Sequence, residues 1–392
     1  MPDAARQSAP RILDAADAIR EGTAQAMRAD ERVFVMGEGA TDPKGVFGTT
    51  TGLVQEFGTD RVMEMPVAEN GWTGVAIGAA LCGQRPILVH QRVEFSLLAM
   101  EQLVNNAAKI HYVSGGRHRA PLVVRLVVGR GWGQGPAHSQ SLEALFAHIP
   151  GLKVAMPSSA ADAKGLLLGA VQDDGPVILI EHRWVHYARG HVDPEPIAMP
   201  LDGPRQLRSG DDCSVVSTSY MTLEALQAAD ALAAAGCNVD LFDLRVLRPL
   251  KLDAIVASVR RTGRLVTVDT GHATYGIGAE IVARVTAEAF SSLRAAPQRI
   301  GLPEHPTPSA RTLAEAYYPR SPKIVATIGD VVGMPKAAID EIVHRLAAER
   351  DAVPLDIPHP SFKGPFCCTS ATRTCRSSSP TSAGSWPRSR RW

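Results

Sequence analysis

At 392 residues the chain is too long for one ordinary core, so two domains are expected. Its 45% hydrophobic and 21% charged content is that of a globular protein, and 41 basic against 40 acidic residues leave no net field to draw it to nucleic acid or an anionic membrane. No apolar run reaches the ~18 residues of a membrane span, and Met1 to Pro10 holds no signal-like segment, which sets a cytoplasmic expectation.

Apolar side chains at Ile12, Ala15, Ala16, Ile19 and Met27 predict a helix over residues 11–29. Arg32 to Gly37 reads as a short buried strand. Gly74 to Leu81, small and apolar, suits a helix packed close on a sheet. Pro86 to Val89 is the next strand, Phe95 to Ala108 a helix by its apolar spacing, and Pro121 to Val128 a β-branched strand. Ser158 or Ser159 caps a helix that runs through Ala170, and Val177 to Ile180 is a further strand. Proline and glycine then crowd the chain, marking a linker at 196–210. Beyond it, strands at Cys213 to Ser217, Asn238 to Asp243 and Arg264 to Asp269 alternate with helices at Leu223 to Ala235, Leu252 to Arg261 and Ile277 to Phe290, the first stopped by Gly236. The alternation implies an α/β protein of two doubly wound domains, 11–195 and 211–345, each a mainly parallel sheet covered on both faces. Cys367 to Trp392 has no acidic residue and no apolar period, so it is read as a disordered or non-native tail.

Cys82 and Cys213 read as small core residues, and no C-x-x-C pair points to zinc or redox work. Glu69 lies between a strand-like end and a glycine-rich helix start, where open α/β sheets bind ligands. By position alone it is either a general acid or base, or a helix cap or ion-pair partner. His138 ends a loop with glycines at 129, 131, 133 and 135, well placed to meet a ligand and equally compatible with a structural role. His90 and Arg92, with Gln91 and Glu94, break the apolar pattern where a strand meets a loop, the mark of a site or of a surface turn. The spacing of His182, His186 and His191 favours a loop over a metal site.

Taken together, Met65 to Gly78, Phe95 to Gly116, Ala137 to Lys153 and Pro157 to Glu181 resemble the β subunit of two-chain 2-oxo acid dehydrogenases, of the transketolase-like superfamily. The resemblance covers residues 11–345. It implies a pyrimidine-binding domain, a transketolase C-terminal-like domain, and thiamine diphosphate bound between two chains. The partner α chain would hold the diphosphate and Mg²⁺, which agrees with the absence of a Gly-Asp-Gly motif here. Glu69 aligns with the glutamate that hydrogen-bonds N1′ of the aminopyrimidine, favouring the imino tautomer whose nitrogen removes the C2 proton. Phe95 aligns with the residue that stacks on that ring, Gln91 with a ring contact, Glu38 with an acidic neighbour of the cofactor, and His138 with the histidine facing substrate. Leu122, Ala170, Val171, Asp173 and Gly175 match a loop that holds structural K⁺. Val89 to Val93 depart from the aromatic and acidic residues of many relatives, which makes His90 and Arg92 candidate substrate contacts. The implied assembly is α₂β₂, acting on a 2-oxo acid such as pyruvate and passing the acyl group to a lipoyl acyltransferase (E2). The alternatives are a split transketolase or acyloin-forming carboligase subunit with the same site residues, and a non-catalytic scaffold.

Overall fold

A computed structural model of the chain describes residues 11–131 and 133–351. The tail at 367–392 lies outside them. Seven strands form the first sheet, in the order Val246–Arg248, Lys153–Ala155, Val177–His182, Val123–Val128, Arg85–His90, Val33–Gly37 and Val62–Glu64. All are parallel except Val246–Arg248. Parallel strands must be covered on both faces. The helices Ala15–Ala29 and Ala160–Gln172 pack against each other on one face, and Glu69–Leu81 lies on the other. The first two start on side-chain caps: Asp14 accepts from Asp17 N at 2.8 Å, and Ser159 from Asp162 N at 3.1 Å.

Gln298–Leu302, Leu265–His272, Cys213–Ser217, Val239–Asp243 and Arg205–Arg208 form a second, five-stranded sheet in that order. Two strands do not follow the expected division of the chain. Arg205–Arg208 lies within the expected linker, yet pairs antiparallel with Val239–Asp243. Val246–Arg248, from the second half of the sequence, completes the first sheet by pairing with Lys153–Ala155. Both are short edge strands whose proline- and glycine-rich neighbours hide them.

The expected helix from Phe95 to Ala108 is broken into a turn at Val93–Ser96, a 3₁₀ turn at Leu97–Ala99 and a π-helical segment at Gln102–Ala107. The π-helical segment packs against the facing helix Glu69–Leu81, with Gln102 lying over Gly74. π-Turns often gather near functional sites. Cys82 is another correction, because it caps the end of Glu69–Leu81 and is exposed, whereas Cys213 is buried. Gln298–Leu302 and the helices Arg311–Tyr317, Ser321–Val332 and Lys336–Asp351 complete the described chain. No helix among the described residues is long and apolar enough to cross a membrane.

In each sheet the chain runs one way from a central strand and then crosses to its other side, leaving a crevice at the carboxyl ends of the strands. In the second sheet that crevice lies between Cys213–Ser217 and Leu265–His272, and the chain itself fills it. Asp269 accepts there from Gly278 N at 3.0 Å, Gly271 N at 3.2 Å and Thr218 Oγ1 at 3.2 Å. Glu143, from the first half, reaches in so closely that a Cβ at Gly271 would stand 2.2 Å from its Oε1. Neither carboxyl oxygen of Glu143 meets a donor from another described residue. Burial first, and Asp269 second, push its pKa from near 4.5 up to about 8.

A carboxyl whose pKa rises on folding contributes stability in full below its unfolded pKa and loses it as pH climbs through the folded value. The wild-type melting temperature should therefore fall between pH 5 and pH 9 by more than that of Glu143→Gln, which cannot ionise. By pH 9 the variant should be the more stable by roughly 2–4 °C. Parallel melting curves for the two proteins across that range would remove Glu143 from the account.

Candidate active site

The first sheet's crevice opens between Val33–Gly37 and Arg85–His90, because the chain passes from Val33–Gly37 outward to Val62–Glu64 and then returns to the opposite side. Glu38 follows one of the two strands that flank this crevice and Gln91 the other. They meet across the gap, Gln91 Nε2 donating to Glu38 O at 3.0 Å. The approach is tight. Gly39 has φ +72°, and a Cβ on it would stand 2.7 Å from Gln91 Nε2.

Glu69 is the first residue of Glu69–Leu81 and is 4% exposed. Ala68 occupies the N-cap position, so the side chain of Glu69 is not used as the cap. It stands instead beside the half-buried Glu38, whose carboxyl Oε1 is enclosed without a hydrogen-bond partner among the described residues. Two carboxyl groups in contact require a proton between them or an incoming donor. Burial first, then Glu69, then Glu64, hold the Glu38 pKa above the ordinary range. Glu64, which sequence reasoning missed, is tied down by Gly39 N at 2.6 Å, Thr41 N at 3.1 Å and Thr41 Oγ1 at 2.9 Å. The crevice is therefore acidic, with one carboxyl held by backbone donors and two left to face a ligand. An aminopyrimidine, with one ring nitrogen to protonate and an amino group to donate, fits that donor deficit.

Phe95 lies half-buried in the turn Val93–Ser96, beside the crevice. The exposed His138 meets its ring edge-on, with centroids 5.4 Å apart and planes at 89°. The structure thus gathers Glu38, Glu69, Gln91, Phe95 and His138 at one end of one sheet.

His90 and Arg92 do not join them as substrate contacts. His90 is 2% exposed and packs on Trp72 with ring centroids 4.4 Å apart. Neither ring nitrogen has a partner among the described residues, and burial pushes its pKa down to about 3, so it is a neutral core imidazole. Arg92 is also 2% exposed, with its guanidinium turned under the glycine loop. A buried residue at the last position of a strand looks, in sequence, the same as an exposed one.

The five positions expected to hold K⁺ do come together around the loop between Ala160–Gln172 and Val177–His182. Several of their oxygens already accept a hydrogen bond. Arg85 Nη1 donates to Val171 O at 2.8 Å and to Asp173 O at 2.9 Å. Asp173 N donates to Ala170 O at 3.3 Å and Val177 N to Leu122 O at 2.9 Å. Gly175 N and Lys153 Nζ take the Asp173 carboxylate. Arg85 contacts two of these carbonyls, so a K⁺ bound here would have to share them with its guanidinium.

Sequence reasoning also missed a buried ion pair behind the loop. Arg125 Nε lies 2.5 Å from Glu181 Oε1, and His186 Nε2 stands 2.9 Å from Oε2. Burial alone would raise the Glu181 pKa, but the Arg125 charge and the His186 hydrogen bond outweigh it and bring it to about 2. The signal was present: an arginine in the middle of a β-branched strand needs a partner.

Residues 12–185 match the transketolase pyrimidine-binding domain, and residues 204–324 the transketolase C-terminal domain. The chain is 40% identical over 314 residues to the pyruvate dehydrogenase E1 component subunit beta of Rhizobium meliloti (strain 1021), covering 80% of this chain and 68% of that protein. It is 40% identical over 319 residues to the acetoin:2,6-dichlorophenolindophenol oxidoreductase subunit beta of Cupriavidus necator, covering 79% and 94%. Among solved structures it resembles a split-gene transketolase described as an inactive beta4 tetramer, with TM-score 0.66, 22% identity and coverage of 82% and 99%. It also resembles the transketolase of Leishmania mexicana, with TM-score 0.56, 16% identity and coverage of 86% and 46%. At those identities the structures speak for the fold alone.

Proposed function

The chain belongs to the β-subunit family of the thiamine-diphosphate-dependent 2-oxo acid dehydrogenases, and on that premise we propose how its half of the active site works. As an E1 β subunit it acts with an α subunit in a heteromeric enzyme. In our reading the aminopyrimidine half of the cofactor enters the crevice between Glu38 and Gln91, with Phe95 against its ring. Glu69 would hold the proton at N1′, and Glu38, its pKa raised, would sit beside it without adding a full negative charge. His138 faces the 2-oxo acid, such as pyruvate, from the glycine loop. When bound, the cofactor supplies the electron sink for decarboxylation. The diphosphate and Mg²⁺ belong to the α chain, and a lipoyl acyltransferase takes the acyl group.

The observation that carries this reading is the buried Glu69 at the switch point of the first sheet, beside Glu38, whose Oε1 is enclosed without a partner among the described residues. The carboligase alternative uses the same residues but is not favoured by the relatives, which carry dehydrogenase and oxidoreductase names. We further propose an α₂β₂ assembly, since closed symmetry is the common solution and Ile277–Ala289 with Phe290 leaves apolar surface to bury. Co-expression with an α-type chain, followed by light scattering, should report a heterotetramer that decarboxylates a 2-oxo acid with an artificial electron acceptor. A stable αβ heterodimer at micromolar concentration would reject the tetramer. Turnover that required an aldehyde acceptor would reject the dehydrogenase reading.

A further inference from the structure

The segment Arg92 to Phe95 touches the glycine loop at four points. Arg92 Nη1 donates to Gly129 O at 2.7 Å, at the start of the loop. The other end of the same guanidinium, Nη2, holds Gln134 Oε1. Glu94 Oε1 accepts from Gln140 N at 2.6 Å, where the loop ends. Phe95 carries the edge-on contact with His138. Among the described residues, one long backbone bond closes the neck of the loop, Gly129 N to Gln140 O at 3.4 Å. Inside it, His138 N donates to Gly135 O at 3.1 Å, Gln134 N to Gly131 O at 2.9 Å, and Ser139 Oγ to Gln134 O at 3.0 Å. The orientation of His138 is therefore inherited from Gly135 and Gln134, and Gln134 is fixed from outside by Arg92.

Glycines at 129, 131, 133 and 135, two of them with positive φ, give this loop no stiffness of its own. An arginine suits the task because its planar fork holds two separate points at once, which a lysine cannot do. Its burial agrees with that use. The guanidinium is spent on a carbonyl and an amide of the loop, and its face lies 5.1 Å from the Phe47 ring, leaving no open side for a substrate.

We propose that Arg92 and Glu94 are positioning residues that latch the loop 129–140 and so hold His138 over the reacting centre. The inference rests on His138 being the substrate-facing histidine, but the latch itself is measured without turnover. In the assembled α–β enzyme, Arg92→Met should speed hydrogen–deuterium exchange of amides in 129–140 by ~10-fold or more, the scale of losing a charged hydrogen bond. Exchange elsewhere and the melting temperature should change little. Arg92→Lys should recover only part of the protection. In kinetics, kcat should fall by ~10-fold with KM within about twofold, since a misplaced group costs rate rather than binding. Arg92→Met combined with His138→Ala should be no slower than His138→Ala alone, the non-additivity expected when one residue acts through the other.

Unchanged loop exchange in Arg92→Met would overturn the latch, and if activity nevertheless fell, Arg92 would be a direct substrate contact. Additive losses in the double variant would equally overturn it. Should Arg92→Met fail to assemble, Glu94→Ala releases only Gln140 and must still raise exchange at that end of the loop. If it does not, the latch is wrong. An enzyme inactive on every 2-oxo acid, with the exchange result intact, would instead count against the functional reading and leave the latch standing.

Discussion

Replacing Glu69 by glutamine is expected to slow 2-oxo acid decarboxylation by the assembled enzyme by about 10²–10⁴-fold, the range of a lost general acid–base group. Glutamine keeps the size of the side chain and one hydrogen bond, so folding and association with the α chain should survive. What it cannot do is exchange a proton with N1′. Nor does an amide repel a neighbouring carboxylate, so Glu38, whose pKa is raised in part by Glu69, should titrate closer to an ordinary glutamate in the variant. The step is isolated by hydrogen–deuterium exchange at C2 of the bound cofactor, quenched and read by NMR. That exchange should slow sharply while substrate binding changes little. A Glu69→Gln enzyme with wild-type C2 exchange would show that Glu69 is not the activating carboxyl.

The second large effect concerns the chain alone. Purified without an α chain, it should show negligible decarboxylation of any 2-oxo acid, with activity appearing on mixing. The chain carries no Gly-Asp-Gly motif, the sequence that in this family marks the site of the diphosphate and its Mg²⁺. Vigorous turnover by the isolated chain would overturn the divided site.

Much of the architecture was legible in the sequence. Val123–Val128 is a β-branched run between Pro121 and Gly129, and Ser159 caps its helix as its position implies. The five site residues now gathered at the crevice were legible only through resemblance, since Glu69 alone reads equally well as a cap. The failures share a cause. Arg205–Arg208, Val246–Arg248 and the π-helical segment Gln102–Ala107 are set by what packs beside them, which no local pattern records. The direction in which Arg92, His90 and Arg85 point is also a tertiary fact. A polar residue at a strand end reads the same whether it faces a ligand, a loop or the core.

Because Val246–Arg248 supplies the edge of the first sheet, that sheet is unfinished for a long stretch of synthesis. A nascent chain that has already delivered every residue of the crevice, and the linker after it, still presents the Lys153–Ala155 edge with its backbone donors and acceptors open. Such an edge is a template for pairing with another chain. Its native partner is remote in sequence and arrives last, the kind of non-local contact that folds slowly. The burden on the cell is one of timing: the half of the molecule that carries the chemistry is safe from association only once the other half has begun to emerge.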